Sequence, residues 1–392
     1  MNLRNHVALL AMLSALTFAG PSWAQVTVQG TVTQLMLPDD GAPLLDYEHL
    51  DFEHASPMPL PDPGMKIPSL TQTLSMQATS AQPEMDNMFR WKKAFPASPG
   101  DGKETPIQIV PAASPGVQPA VIPYDYGTSL QQYTTARANA YGDDTQHHYP
   151  FSATGKLFFN VGHSTYVCTG ALVSPGVVIT AAHCVANFGQ RQFYSNWTFV
   201  PAYENGKAPF GVWKAHAVQL LTAYYIGSDR CAVKGVICQS DIAVITLRGQ
   251  NGTYPGRRAG NYGYIWDEGG YSNATAQVTQ LGYSNLLDGG ALMERTDSLG
   301  YIAPQLASNT VIGSMMDSGS SGAPLIMNFG AWPTLPNGSV WGEFPVYNVI
   351  VGVTSWGSKD PQAKQQGASP FLRSTLDPIM TAACTVETGV CN

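Results

Sequence analysis

From residue 155 to the C-terminus, apolar and polar residues alternate in short runs broken by Gly, Asn and Pro. That period of two predicts half-buried β-strands at 156–159, 166–167, 172–173, 177–180, 197–201, 212–221, 241–247, 276–283, 300–303, 324–327 and 347–353. The spacing turns helical only at 375–383, which predicts a closing helix. Short strands separated by turns build an antiparallel barrel or sandwich, and 151–392 is long enough for two packed β units. No repeat with the period of a solenoid or propeller runs through the chain.

Residues 25–150 follow a different pattern. Pro38, Pro43, Pro57, Pro59, Pro61, Pro63 and Pro68 open a series that runs on to Pro123. Each removes a backbone donor and restricts the residue before it, so long elements cannot form. The alternation at 26–32 predicts one strand, and 82–95 a short helix or amphipathic turn. Neither makes a core alone. Ahead of this stretch, Arg4, an apolar run at 7–19 and Ser22-Trp23-Ala24 read as a secretory signal with its cleavage site. The run is too short for a good membrane span. The chain is therefore expected to divide into a signal at 1–24, a Pro-rich pro-segment or linker at 25–150, and a globular domain at 151–392. Between an export signal and a folded domain, the pro-segment reading is favoured, with the segment covering or chaperoning the domain until cut. Thr135-Ala136-Arg137-Ala138 offers a basic cleavage site.

Three stretches carry chemistry. Asp317-Ser318-Gly319-Ser320-Ser321-Gly322-Ala323-Pro324 describes a tight exposed loop, in which the N–H groups of Gly319 and Ser321 can point the same way and hold an oxyanion. Ser/Gly runs are commonly only turns, and a serine hydroxyl needs a base within reach to act as a nucleophile. His183 follows an apolar strand in Thr180-Ala181-Ala182-His183-Cys184, and Asp241 opens the run Asp241-Ile242-Ala243-Val244. His183 can take the serine proton, and Asp241 can hold the imidazole tautomer. His163 and His216 lack such contexts and read as ordinary histidines, and His147-His148 as a loop pair.

On these stretches the chain resembles the chymotrypsin/trypsin family of serine peptidases, in which the triad runs in the order His183, Asp241, Ser321. The resemblance covers about residue 155 to the C-terminus. It implies an all-β fold of two packed antiparallel six-stranded barrels with a C-terminal helix. It implies a secreted serine endopeptidase of zymogen type, working through an acyl-enzyme with Gly319 and Ser321 as oxyanion donors. A bridge Cys168–Cys184 is implied too. Val351-Gly352-Val353-Thr354-Ser355-Trp356-Gly357 resembles the strand lining the family's specificity pocket, which implies Ser355 bonding Asp241 and the backbone of Ser355, Trp356 and Gly357 pairing with an extended substrate. Position in the loop puts Met315 at the pocket base, suited to an apolar or medium-sized side chain. A shift of the loop would bring Asp317 there instead. Ser320 departs from the family, which has an aspartate there to receive the amine of a freed N-terminus. Bacterial relatives such as glutamyl endopeptidases share that departure, and this chain reads as one of their branch.

Composition narrows the partners. Only 12% of residues are charged and the net charge is −7, which argues against nucleic acid and anionic membrane. The six cysteines, Cys168, Cys184, Cys231, Cys238, Cys384 and Cys391, all follow residue 160, and an even number in an exported chain reads as disulfides. Closeness in sequence suggests Cys231–Cys238 and Cys384–Cys391 among the many possible pairings. No Cys/His cluster has metal spacing, so neither metal nor cofactor is expected. The expected partners are polypeptide substrates and the chain's own pro-segment as an intramolecular inhibitor, with the protein monomeric and extracellular or periplasmic. Two other readings compete. A lipase-type elbow needs Gly at position 323 and the histidine after the serine, and neither condition holds. A catalytically silent binding or adhesion protein on the same fold remains the non-enzyme alternative, and it commonly lacks a triad member.

Overall fold

The computed structural model describes residues 24–38, 50–69, 72–73, 95–109, 125–126, 131–139, 144–267, 269, 271, 274–330, 347–360 and 363–392. The signal stretch at 1–23 and the helix expected at 82–94 lie outside them. Phe95, the last residue of that expected helix, is extended and stacks on Tyr264 with ring centroids 4.2 Å apart.

Twelve strands form two closed barrels. The first comprises β1 (Thr154–Val161), β2 (Ser164–Ser174), β3 (Val177–Thr180), β4 (Ser195–Pro201), β5 (Trp213–Leu221) and β6 (Ala243–Leu247), hydrogen-bonded in the order β1-β2-β3-β6-β5-β4 and back to β1. The second comprises β7 (Thr275–Gly282), β8 (Glu294–Ala303), β9 (Asn309–Gly313), β10 (Pro324–Met327), β11 (Val349–Gly357) and β12 (Gln365–Pro370), closing in the order β7-β8-β9-β12-β11-β10. The two orders are the same when offset by six, and every pairing within the rings is antiparallel. The helix α1 (Arg373–Cys384) buries Leu376, Ile379, Met380 and Ala383, the i, i+3, i+4, i+7 stripe of an amphipathic helix. The Leu372 N–H at its start donates to Thr375 Oγ1 at 3.1 Å. No helix among the described residues is long and apolar enough to cross a membrane.

The strand pattern finds ten of the barrel strands at least in part. The runs 166–167 and 172–173 prove to be one strand, β2, and 300–303 is only the end of β8. The alternation at 26–32 is not a single strand: the chain turns at Gly30-Thr31, and Gln25–Gln29 folds back on Val32–Met36. The second arm of this hairpin then adds to β5.

The described parts of the upstream segment are packed onto the barrels. Strand β1 is buried on both faces, because Phe52 covers Phe158 edge-on at 4.9 Å. The strand Tyr133–Arg137 pairs with β8 in the second barrel's sheet, and Arg137 forms an ion pair with Asp288. A strand upstream of residue 150 thus belongs to the second barrel's sheet, and the basic cleavage site expected at Arg137 sits inside it.

The barrels are tied together by direct bonds. Thr169 N–H donates to Ser321 O at 2.8 Å, Tyr262 N–H to Leu172 O at 2.9 Å, and Lys156 Nζ to Gly290 O at 2.8 Å. All six cysteines are bridged, as Cys168–Cys184, Cys231–Cys238 and Cys384–Cys391.

Candidate active site

His183 lies in the turn Ala182–Cys184 that follows β3, and the Cys168–Cys184 bridge fastens this turn to β2. Asp241 lies just before β6, which pairs with β3 so that Ala243 faces Thr180. That register brings the carboxylate under the imidazole. Asp241 Oδ1 accepts the His183 backbone N–H at 2.8 Å, and Oδ2 lies 2.8 Å from His183 Nδ1. Ser355 Oγ, from β11 of the other barrel, donates to the same Oδ2 at 2.6 Å. Asp241 is 2% exposed, so each of its oxygens is satisfied by protein donors in a site closed to solvent. With Nδ1 committed to Asp241, Nε2 is the ring nitrogen left for chemistry.

Ser321 enters from the second barrel on the loop before β10. Two glycines give the loop its path. Gly319 has φ +91°, and a Cβ there would fall 2.5 Å from Tyr283 O. Gly322 has φ +81°, and its Cβ would fall 2.1 Å from Thr180 Oγ1. No other residue fits either position without displacing backbone or the floor of the site. Ser321 is fully buried, and neither its Oγ nor His183 Nε2 has a hydrogen-bond partner. The two atoms between which a proton would pass in acyl transfer are therefore both in the closed site but not hydrogen-bonded to each other. Such bonds commonly tighten only when substrate arrives.

A feature absent from the sequence expectations lies across this loop. Ser56–Pro57 pairs in parallel with Tyr166 and Val167 of β2. Met58 N–H donates to Val167 O at 2.8 Å, Gly319 N–H donates to Met58 O at 3.1 Å, and Gly357 N–H donates to Pro61 O at 2.9 Å. Residues 56–61 thus run as an extended strap from β2, over the Ser321 loop, to the end of β11. Leu60, 7% exposed, packs against Gly357 so closely that a Cβ there would lie 2.3 Å from Leu60 Cδ2. It walls a cavity of about 280 Å³ together with Met315, Met316, Asp317 and Ser358. One signal for the strap was available: prolines at 57, 59, 61 and 63 hold the chain extended.

The other expected site residues fall out as follows. Met315 lines the cavity, and Gly357 offers its N–H there, to Pro61. The Trp356 indole turns into the barrel, fully buried, with Nε1 donating to Asn309 Oδ1 at 2.9 Å. Asp317 reaches the cavity wall, but its Oδ1 accepts Ser284 Oγ and Leu286 N–H, each at 3.0 Å.

Two six-stranded antiparallel barrels meeting at this cleft are the fold of the chymotrypsin-like serine peptidases. The chain belongs to the trypsin family, whose model matches residues 140–373. In structure it is similar to the protease Anisep from Arthrobacter nicotinovorans, at 25% identity, 60% of this chain, 96% of that one and a TM-score of 0.47. It is also similar to the thermostable serine protease AL20 from an extremophilic microorganism, at 20% identity, 60% and 98% coverage and a TM-score of 0.48. A Glu endopeptidase aligns at 16% identity, 64% and 96% coverage and a TM-score of 0.45. In sequence, 118 residues are 30% identical to a Bacillus subtilis (strain 168) protein named "Extracellular metalloprotease"; the match takes in 30% of this chain and 34% of that relative, about a third of its length. Among the described residues, the donor groups Cys168, His183, Cys184 and Asp229, Cys231, Cys238 come close enough to hold a metal ion. In both, the two sulfurs are joined in a disulfide, which leaves no thiolate to ligate one.

Proposed function

We propose that the chain is a secreted serine endopeptidase with His183, Asp241 and Ser321 as its catalytic residues, kept inactive by residues 56–61 until the upstream segment is cut. The observation that carries the catalytic reading is the Asp241 carboxylate, bonded at once to His183 Nδ1 and to Ser355 beside a buried, unpartnered Ser321 Oγ. In this mechanism Ser321 Oγ attacks the substrate carbonyl carbon while His183 Nε2 takes its proton. The oxyanion turns to the N–H groups of Gly319 and Ser321. His183 then protonates the leaving amine, and water, activated by the same nitrogen, hydrolyses the acyl-enzyme. Asp241 holds the Nδ1 proton throughout.

Chain direction supports the strap as inhibitor rather than substrate. A productive peptide lays its acyl part along Gly357 and the Met315 cavity, and its amine part towards His183 and β2, where the leaving nitrogen can be protonated. Residues 56–61 run the other way, from Val167 to Gly357. The Met58 carbonyl meets the Gly319 N–H, but the bond after it leads to Pro59 on the cavity side, away from His183. Attack there would leave a nitrogen that receives no proton. Leu60 beside Met315 and Met316 supports an apolar preference for the residue before the scissile bond. Because Tyr133–Arg137 belongs to the second barrel's sheet, we place the processing point between residues 70 and 131. Export fits the three disulfides, the signal expected at 1–24 and the extracellular relative.

The test is fluorophosphonate labelling of the processed chain with peptide mapping of the adduct. Labelling at Ser321 and its loss, with peptide hydrolysis, in Ser321→Ala is expected. A processed, folded sample that neither labels nor cuts peptides would instead mean a silent binding protein.

A further inference from the structure

Beneath the Ser321 loop lies a chain of uncharged side chains inside the second barrel. Gln280 on β7 and Gln366 on β12 are buried, at 0% and 1% exposure. Gln366 Nε2 donates to Met316 O at 2.5 Å and to Ser320 Oγ at 3.2 Å. Met316 O can only accept, so the orientation of the Gln366 amide is fixed, and its Oε1 must accept. It does so from Gln280 Nε2 at 2.5 Å, whose second hydrogen goes to Thr354 Oγ1 at 2.7 Å. Gln280 Oε1 accepts Ser314 Oγ at 2.8 Å, and Ser314 Oγ accepts the Met316 N–H at 3.1 Å. Ser320 Oγ donates to Asp317 O at 2.6 Å. Every amide hydrogen and oxygen of the pair has a partner, the condition under which a buried polar network rigidifies its surroundings.

We propose that Gln366, oriented by Gln280, is a positioning residue that sets the Gly319–Ser321 loop in its oxyanion-binding arrangement before and after processing. The inference rests on the catalytic reading of Ser321 above. Gln366 grips the loop at Met316 and at Ser320, on either side of Asp317, and Ser320 adjoins both oxyanion donors. The fastening holds no charge and no chain terminus. Removal of the strap therefore opens the cleft without rebuilding the loop, and a freed N-terminal amine is not needed at Ser320.

The experiment uses the processed enzyme, with Gln366→Met (similar length, no amide) and Gln366→Glu, measuring kcat, KM and the rate of fluorophosphonate labelling from pH 5 to 9. Gln366→Met is expected to lower kcat by about 10- to 100-fold, within the range for losing one oxyanion donor, with labelling falling in parallel and KM changing by less than about threefold. In Gln366→Glu a carboxylate faces the Met316 carbonyl at neutral pH, whereas the protonated acid can donate to it. The ratio of variant to wild-type activity is therefore expected to rise as pH falls. A kcat for Gln366→Met within about threefold of wild type overturns the proposal. A Glu-variant ratio that stays flat with pH overturns it too, and decides the matter alone should Gln366→Met fail to fold. An inactive wild type would count against the catalytic reading instead.

Discussion

Leu60→Ala in the full-length chain perturbs the strap while leaving His183, Asp241 and Ser321 in place. Leu60 is 7% exposed and seated between Gly357 and the wall formed by Met315 and Met316. Truncation to alanine removes three carbons from a buried site, at ~0.8 kcal/mol each, or ~2.4 kcal/mol of strap docking. Three backbone bonds remain, from Met58, Gly319 and Gly357, so the strap is weakened rather than lost. At 1.4 kcal/mol per tenfold, the open fraction should rise about 50-fold. A reagent that reaches Ser321 only in the open state labels in proportion to that fraction. The assay is the pseudo-first-order labelling rate of the uncut chain, beside the same variant after processing. The expected result is a rate about 50-fold above the uncut wild type, capped at the processed rate, with processed variant and wild type identical once the released segment is removed. An uncut variant that labels within about twofold of wild type would refute the strap as the barrier to Ser321.

Three other outcomes follow from the packing. Gly322→Ala forces a Cβ to within 2.1 Å of Thr180 Oγ1 at φ +81°, so the variant should lose Ser321 labelling and melt at lower temperature; a wild-type labelling rate would contradict this. Burial, with Asp288 alongside, pushes the Glu294 carboxyl up to about 9. The folded state thus holds a proton that the unfolded chain gives up, and stability falls as pH rises from the ordinary carboxyl range towards 9. Glu294→Gln removes that dependence, so thermal melts should favour the variant at pH 9 and converge with wild type at pH 5; an equal difference at both would count against it. His147 sits 3.4 Å from Glu204 and 3.4 Å from Glu104 of the upstream segment, and the Glu204 bond, then the Glu104 charge, hold its pKa above the ordinary histidine value. Its contribution is complete below the ordinary value and is lost as pH rises through the raised one. Protection of Ile107–Gln108, paired with Lys207–Ala208, read as exchange relative to the intrinsic rate at each pH, should therefore fall from pH 6 to 8.5, and His147→Gln should abolish that fall.

How much of this could be read from the chain depended on whether the chemistry is local. His183, Asp241 and Ser321, which the structure brings to one site, sit in stretches that stand out locally: a strand and a cysteine before and after the histidine, an apolar run after the aspartate, glycines around the serine. The Cys231–Cys238 and Cys384–Cys391 bridges follow from closeness alone. Strands β9 and β12 escaped the pattern. β12 begins Gln365-Gln366-Gly367, and buried glutamines that bond inward look like loop residues to any test of apolar alternation. The hairpin at 25–36 escaped because its second arm continues the alternation of the first. The strap was legible as an extended, proline-set segment but not as a ligand of the cleft, since where a flexible run docks depends on surfaces built more than a hundred residues later in the chain.

All six cysteines pair among themselves downstream of residue 160, so the strap's covalent link to the barrels is main chain alone. While intact, that tether presents residues 56–61 to the cleft at an effective concentration on the order of millimolar. A single cut between residues 70 and 131 turns the same contacts into those of a free peptide, whose occupancy tracks its concentration in the surrounding fluid. Freshly cut enzyme in a confined volume would then remain largely self-inhibited, and dilution would complete what the cut begins. The specific activity of processed samples should therefore rise as the sample is diluted, at a fixed ratio of enzyme to released segment.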